Sequence, residues 1–123
     1  MGQPVRSYVV SVEEVHSGDD LVVMANLGID GLHKRVRVRL HGVDTPNAYK
    51  AKIGTEAGIL RDEIKRLTSG KCRVDVIAEG KGGWLVTLHA FVSDDKHHEE
   101  VNINELLKSR GYVYKGRTDG PSH

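Results

Sequence analysis

The alternation of apolar and polar positions predicts a chain built mainly of short β-strands. It is strictest between residues 35 and 41, where every second residue is apolar: Val36, Val38 and Leu40. The positions between them are all basic: Arg35, Arg37, Arg39 and His41. Because successive side chains of a strand point to opposite faces, this segment predicts a strand with one core face and one polar face.

Four other segments carry the valine-rich or alternating sequence that is typical of strands. They are residues 5–15, 21–24, 72–78 and 84–92. A turn is predicted at 17–20, and a glycine-rich turn at 79–83 joins the last two strands. Residues 93–100 are polar and are predicted to form a loop, whereas residues 112–114 are predicted to be extended.

Two segments have the apolar spacing of helices. Within residues 55–68 an apolar stripe repeats at intervals of three and four: Ala57, Leu60, Ile64 and Leu67. Ser69 and Gly70 are expected to end this helix. A second helix is predicted around residues 103–109, and Gly111 is expected to terminate it.

The order of three strands, a helix, two strands and a helix predicts an α+β fold that is mainly β. The spacing fits a five-stranded, OB-fold-like barrel with two or three helices. We expect a single domain over residues 1–118 and a flexible C-terminal tail at residues 119–123. The length of 123 residues agrees with one domain that has a modest core.

Composition narrows the class of protein. The formal net charge is only +1, so any binding of nucleic acid must come from local clusters of basic residues. The single Cys72 excludes an internal disulfide and a cysteine-rich zinc site, and it is predicted to be an inert core thiol. No apolar run has the length of a membrane helix and no signal peptide is evident, so a cytoplasmic protein without a membrane partner is expected.

Four sequence segments lie in the order and spacing of one known family. They are Gly-Asp-Asp at 18–20, Val-Arg-Leu-His-Gly-Val-Asp-Thr-Pro at 38–46, Gly-Thr-Glu-Ala at 54–57, and residues 101–107 followed by Arg-Gly-Tyr at 110–112. Together they resemble the staphylococcal-nuclease-like (thermonuclease) domain family over about residues 5–115. The resemblance implies an OB-fold-like domain that engages the phosphodiester backbone of DNA or RNA at a Ca²⁺-dependent nuclease site.

The same resemblance implies roles for individual residues. Ca²⁺ would be held by the carboxylates of Asp19 and Asp44 and by the backbone carbonyl of Thr45. This agrees with the preference of Ca²⁺ for oxygen ligands. Arg39 matches the first catalytic arginine of the family, and its guanidinium can donate two hydrogen bonds to phosphate oxygens. Without the resemblance, Asp19 and Asp44 are better explained as turn residues than as metal ligands.

Two departures from the family put hydrolysis in question. Asn47 stands where the family has the glutamate that activates water, and an amide cannot take a proton from water. Gly83 stands where the family has a second arginine, and Lys81, two residues away, could reach a phosphate only as a point charge. These departures predict weak or altered hydrolysis. The alternative is a catalytically inactive binding or regulatory module, for nucleic acid or for a protein partner.

Further candidate residues each have a plainer explanation. Arg35 and Arg37 are candidates for binding nucleic acid, or else belong to a solvated strand face paired with nearby acids. His41 is a candidate replacement base, or an incidental surface histidine.

The tyrosines near the C-terminus and a histidine-rich tract also have both a functional and a plainer explanation. Tyr112 and Tyr114 are candidates for stacking on bases, beside Trp84, or else they are core residues. The tract at 97–100, His-His-Glu-Glu, is either a metal site or a solvated loop.

Overall fold

The computed structural model describes residues 6–45, 55–93 and 98–114 of the chain. These residues form six strands and two helices. In chain order they are β1 (Arg6–Ser17), β2 (Asp20–Asn26), β3 (His33–Leu40), α1 (Glu56–Leu67), β4 (Cys72–Gly80), β5 (Gly83–Ser93), β6 (His98–Asn102) and α2 (Ile103–Ser109). The predicted C-terminal tail at 119–123 lies outside the described residues.

The six strands form one sheet in the order β3-β2-β1-β4-β5-β6, in which neighbours pair antiparallel. An additional parallel pairing joins β3 to β5, with Val38 opposite Trp84 and Leu40 opposite Val86. Because β3 pairs with both β2 and β5, the sheet closes partly into a ring of five strands. The predicted α+β fold, mainly β and barrel-like, is therefore confirmed in its broad class.

The predicted loop at 93–100 is wrong in its last part, because residues His98–Asn102 form a sixth strand against β5. This strand is short, lies at the edge of the sheet and is exposed over its first three residues. An exposed edge strand has no buried face, so it leaves no alternating apolar pattern in the sequence. The histidine and the two glutamates of this edge strand also discourage pairing with another chain.

The core lies inside the ring and under the two helices. The apolar face of β3 points inward as its alternation predicts, and Val36, Val38 and Leu40 are buried. Leu60 and Ile64 of α1 and two residues of α2 cover the same core. Cys72 is fully buried, so its predicted place in the core is confirmed, and this burial raises the pKa of its thiol to about 11.

Both helices begin with a capping side chain. The Thr55 hydroxyl accepts a hydrogen bond from the Gly58 N–H, and the Asn102 side chain accepts one from the Glu105 N–H. The observed helix bounds agree with the predicted 55–68 and 103–109 to within one residue. Neither helix among the described residues is long and apolar enough to span a membrane.

The buried side chain of Asn104 fixes the segment that follows β3. Its amide donates to the carbonyls of His41 and Val86, at 3.0 and 3.1 Å, and its oxygen accepts from the Leu88 N–H at 2.9 Å. On the other side, the Asp44 N–H donates to the Tyr112 carbonyl at 3.2 Å. Residues 41–44 are thus held between β5, α2 and the extended segment after α2.

Candidate functional site

The turn between β1 and β2 is the first component of the candidate site. Ser17 pairs with Asp20 at the strand ends, which leaves Gly18 and Asp19 in the turn itself. The Leu40 N–H donates to the Asp19 carbonyl at 3.0 Å, and this bond ties the turn to the end of β3. Asp20 also lies opposite Arg39 in the β2–β3 ladder, so acidic and basic residues meet at this corner.

The Asp19 carboxylate is buried but satisfied. Its side chain is only 5% exposed, and Oδ1 accepts hydrogen bonds from the Ser17 hydroxyl at 3.1 Å and the Thr45 hydroxyl at 2.9 Å. Thr45 can approach because residue 18 is glycine: a Cβ at Gly18 would lie 2.9 Å from the Thr45 Cγ2. The Gly-Asp pair therefore places a buried carboxylate directly against the segment that follows β3.

Arg39 is the cation of the site. Its Nη2 lies 3.6 Å from the Asp19 Oδ2, and its side chain is 59% exposed. One guanidinium nitrogen thus approaches the buried acid, while most of the side chain is open to solvent. Arg39 therefore forms an ion pair with the buried acid while its guanidinium remains at the surface.

These residues line a cavity of about 590 Å³, which we call the acidic–arginine cavity. Its walls come from the end of β1, the β1–β2 turn, β3 and the segment after β3. The lining residues are His16, Ser17, Asp19, Asp20, Arg37, Arg39, Asp44 and Thr45. The structure therefore brings together four residues that the sequence singled out: Asp19, Arg39, Asp44 and Thr45.

Arg37 lies in the wall of this cavity, but its guanidinium is hydrogen-bonded to an acidic side chain. Its Nε donates to the Asp20 Oδ1 at 2.9 Å, and its Nη2 donates to the other carboxylate oxygen. Burial disfavours the charged form of Asp20, but the hydrogen bonds and charge of Arg37 outweigh that effect and hold the pKa of Asp20 below its usual range. Both side chains of the pair are thus charged at neutral pH, and their opposite charges offset each other.

Arg35, at the other end of the same strand face, is also paired with acids. Its Nε donates to Glu13 at 3.2 Å, and its Nη2 donates to Glu14. The hydrogen bond with His16, opposed by desolvation and supported by Arg35, lowers the pKa of Glu14. Arg35 and Arg37 therefore lie on an exposed strand face paired with nearby acids, the plainer of the two explanations given by the sequence.

His41 and Tyr114 line a neighbouring cavity of about 690 Å³ that shares Asp19, Arg39 and Asp44 with the first. Both side chains are exposed. Tyr112 is placed differently, because it packs partly buried against the core and its hydroxyl donates to Glu56 at 2.7 Å. That hydrogen bond to a carboxylate raises the pKa of Tyr112.

The β4–β5 turn approaches Arg37 and Arg39 from the other side and lines a cavity of about 370 Å³. Lys81 is exposed in this turn and does not line that cavity. Gly83 has φ +124°, and a Cβ built on it would lie 2.1 Å from the Arg37 carbonyl oxygen. The position of the family's second arginine is therefore a close backbone contact that no side chain can occupy without displacing β3.

The donor set at Asp19 and Asp44 fits a hard cation in part. Carboxylate and carbonyl oxygens are the ligands Ca²⁺ prefers, but it takes about six to eight of them. Within residues 6–45, 55–93 and 98–114, no group of three or more His, Cys, Asp or Glu side chains could hold a metal ion. Asn47 and His97, which the sequence also named, lie outside the described residues.

His16 is a residue of this cavity that the sequence reasoning missed. It lines the cavity wall, and its Nε2 lies 2.8 Å from the Glu14 Oε1. The available signal was the spacing of Glu14 and His16, because residues two apart on a strand share a face. That spacing is too common to single out the pair without its neighbours.

Comparison with known proteins assigns the chain to no family. A scan against protein-family models and a search of curated proteins both found no match to the chain.

Proposed function

We propose that this protein is a thermonuclease-like domain that binds the phosphodiester backbone of DNA or RNA at the acidic–arginine cavity. The observation that carries the proposal is Arg39, whose exposed side chain lies 3.6 Å from the buried carboxylate of Asp19 at the edge of the cavity. A positioned guanidinium that faces solvent is suited to a phosphate oxygen. Arg35 and Arg37 on the same strand face donate hydrogen bonds to acids, whereas Arg39 lies 3.6 Å from Asp19. Arg39 is therefore the arginine that we propose as the phosphate ligand.

The fold that we propose is an OB-fold. The five strands of the ring follow the order β1-β2-β3-β5-β4, with β3 parallel to β5. A small five-stranded barrel with a helix after the third strand agrees with that class. The described parts of the four sequence segments that resemble the thermonuclease family fall on the β1–β2 turn, on β3 with the residues after it, on the start of α1, and on the end of β6 with α2.

A partial Ca²⁺ site accompanies the phosphate site in this proposal. The residues that would hold the ion are Asp19 and Asp44 through their carboxylates and Thr45 through its carbonyl oxygen. When bound, the ion would supply electrostatic stabilisation of charge on phosphoryl oxygens. Because few protein oxygens are available, binding of Ca²⁺ is expected to be weak and to strengthen when a phosphate occupies the cavity.

Binding to nucleic acid is tested by substituting Arg39. Fluorescein-labelled 12-nucleotide single-stranded DNA, duplex DNA and RNA are titrated by fluorescence anisotropy in Ca²⁺ and in EDTA. We expect Arg39→Ala to weaken binding about tenfold or more, since it removes a charged hydrogen bond. Arg66→Ala removes the same charge from the last turn of α1, and there the affinity should be nearly unchanged. Equal affinities of the two variants, or no binding by the unaltered protein, would contradict the proposal.

A second candidate function is a binding or regulatory module without hydrolysis. Gly83 favours it, because the close contact with the Arg37 carbonyl excludes the second arginine. Ca²⁺-dependent cleavage of the same oligonucleotides, in the unaltered protein and in Asp44→Ala, decides between the two. Efficient cleavage that depends on Asp44 would exclude the inactive module, and Arg39-dependent binding without cleavage would support it.

A further inference from the structure

A second cluster of charged side chains lies on the outer face of the sheet. It joins β4, β5 and β6 and consists of Arg73, Asp75, His89 and Glu100, which we call the His89 cluster. Residues that alternate with these along the strands, such as Val74, Leu88 and Ala90, are buried in the core. The four residues of the cluster are not among those that line the acidic–arginine cavity, so the cluster is separate from the proposed function.

The imidazole of His89 lies between two carboxylates. Its Nε2 is 3.0 Å from the Asp75 Oδ2, in hydrogen-bond geometry, and its Nδ1 is 2.9 Å from the Glu100 Oε2. The Nδ1 is buried and makes no hydrogen bond within residues 6–45, 55–93 and 98–114, because the close Glu100 oxygen is poorly aligned with it. The side chain is only 12% exposed, so the ring is shielded from most of the solvent.

Only the protonated ring suits both contacts. A neutral imidazole has one N–H and one lone pair, and an ionised carboxylate can only accept. The neutral ring therefore directs a lone pair at one carboxylate oxygen, whereas the imidazolium attracts both oxygens even where a hydrogen bond is poorly aligned. Protonation also balances the charge of the cluster, because Arg73 and the imidazolium then offset Asp75 and Glu100.

Asp75 is held more firmly than Glu100. The Ser7 hydroxyl donates to its Oδ1 at 2.6 Å, and the Arg73 Nε lies 3.4 Å from the same oxygen. Burial disfavours the charge of Asp75, but the hydrogen bonds from Ser7 and His89 and the charge of Arg73 outweigh that effect and hold the pKa of Asp75 below its usual range. A neutral His89 therefore keeps its proton on Nε2, toward Asp75, and turns its lone pair toward Glu100.

The charged groups around His89 come from the strands on both sides of β5. Strand β4 contributes Arg73 and Asp75, and β6 contributes Glu100, which also lies 3.4 Å from the Arg73 Nη2. Lys71, just before β4, lies over the ring of Phe91, two residues along β5 from His89. The two groups in contact with the ring are both carboxylates, so loss of its proton leaves an excess of negative charge between β5 and β6.

Strand β6 is attached to the molecule unevenly. Its first three residues, 98–100, are exposed and lie at the edge of the sheet. By contrast, Val101 packs against the core and Asn102 caps α2. Glu100 therefore belongs to the part of the strand that has the weakest attachment, and its contacts with His89 and Arg73 are what join that part to the outer face of the sheet.

We propose that His89 is a pH-sensitive switch: its protonation holds residues 98–100 of β6 against β5, and loss of the proton to solvent releases them. The backbone edge of β5 at residues 91–93, which pairs with this part of β6, is then uncovered. Because an ordinary imidazole titrates at about pH 6.5, we expect the release as pH rises from about 6 to 8. Val101 and α2 stay in place, because they are held by the core.

Amide hydrogen exchange followed by NMR tests the switch in the unaltered protein. The Phe91 N–H donates to the Lys71 carbonyl, so the neighbouring Val92 N–H points the other way, toward Glu99 of β6. Each exchange rate is divided by that of an unstructured amide at the same pH. We expect the protection of Val92 and Glu99 to fall about fivefold between pH 5.5 and 8. Amides of the β1–β2 ladder, which report on global stability, should show no such change.

Two variants identify the groups responsible. In His89→Gln the amide can still donate to Asp75 but carries no charge, so protection should be low at both pH values. In Glu100→Gln the new amide can donate to the unprotonated Nδ1, so protection should be as high at pH 8 as at pH 5.5. His98→Gln is the matched control, because it removes an exposed histidine from the same strand and should keep the fivefold change.

The ring itself provides the decisive comparison. The ¹⁵N resonances of the His89 imidazole give its titration directly, and the change in protection of Val92 and Glu99 should have the same midpoint. Protection that is equal at pH 5.5 and 8 in the unaltered protein would overturn the switch. The same conclusion follows if the fivefold change persists in folded His89→Gln or follows a titration other than that of His89. The dispersion of the amide spectrum shows that each variant is folded.

Discussion

Two turns approach the strand β3, and they contribute to the site in opposite ways. The β1–β2 turn brings a buried carboxylate, Asp19, against Arg39 and Thr45. The β4–β5 turn is rich in glycine and brings Gly83 against the Arg37 backbone with no room for a side chain. One turn therefore supplies chemical groups, and the other supplies a close backbone contact that helps to place β3 beside β5.

This difference explains why the likeness to a nuclease site is one-sided. The residues that we propose to bind phosphate and a cation lie on the side of β3 that faces the β1–β2 turn. On the other side, glycine at position 83 is a steric requirement of the β3–β5 contact, and restoring an arginine there would disturb the ring. Backbone packing can thus prevent a functional side chain at a given position. Replacing that one residue is then not expected to restore the function.

The sharpest test of the comparison is Gly83→Ala. We expect it to lower the free energy of unfolding by about 3 kcal/mol, since it adds a Cβ against the Arg37 carbonyl at a positive φ. Gly82→Ala is the matched control, because a Cβ there meets nothing within 4 Å. Urea unfolding at pH 7 measures both. Equal stabilities would mean that the turn does not need glycine at position 83.

On the opposite turn, Thr45→Val tests the hydroxyl that supports Asp19. Losing a hydrogen bond to a buried charged acceptor should lower the free energy of unfolding by about 1.5 kcal/mol. Thr87→Val makes the same change on β5, where the described residues show no hydrogen bond from Thr87 to a carboxylate, and its effect should be smaller. Urea unfolding gives the difference, and a larger loss for Thr87→Val would contradict the role of Thr45.

The smallest effect is expected at the Arg37–Asp20 pair. Asp20→Asn should lower the free energy of unfolding by about 1 kcal/mol at pH 7, because half of the Arg37 side chain is exposed and solvent screens the pair. The folded pKa of Asp20 is lowered, so its contribution is complete above the unfolded value of about 3.9 and is lost as pH falls through the folded value.

The pH dependence of the stability difference provides a control for the Arg37–Asp20 pair. Urea unfolding at pH 7, 4 and 2.5 should show the difference between the unaltered protein and Asp20→Asn shrinking as pH falls. Asp62→Asn, at a carboxylate that is 59% exposed on α1, should change stability by less than about 0.5 kcal/mol at every pH. A difference for Asp20→Asn that grows toward acid pH would mean that Arg37 does not stabilise the charged carboxylate.

Much of the fold was predictable from local sequence patterns. The strict alternation in β3 placed its valines inward and its arginines outward, and the apolar stripe of α1 placed Leu60 and Ile64 in the core. Strand β6 was not predictable, because both its pairing and its place at the edge depend on β5. Its own residues lack the alternation that marks a half-buried strand.

The candidate site was predictable only as a set of residue types. Asp19, Arg39, Asp44 and Thr45 were named from sequence, and the structure places them around one cavity. The roles of the other basic residues of β3 were left open, because an ion pair between strands depends on register. Arg37 meets Asp20 of the neighbouring strand β2, and Arg35 reaches past β2 to Glu14 of β1, a contact between residues 21 positions apart in the chain.

The sequence by itself determined the order of the first five strands and the two helices, the two faces of β3 and the glycine, aspartate and arginine residues available to a site. Only the tertiary structure decided which arginines donate hydrogen bonds to acids, that His16 borders the cavity and that a Cβ at Gly83 would meet the Arg37 carbonyl. The physical reason is that periodicity and turn preference act over a few residues. Ion pairing, burial and close backbone contact are set instead by strands distant in sequence, whose register the closed ring fixes.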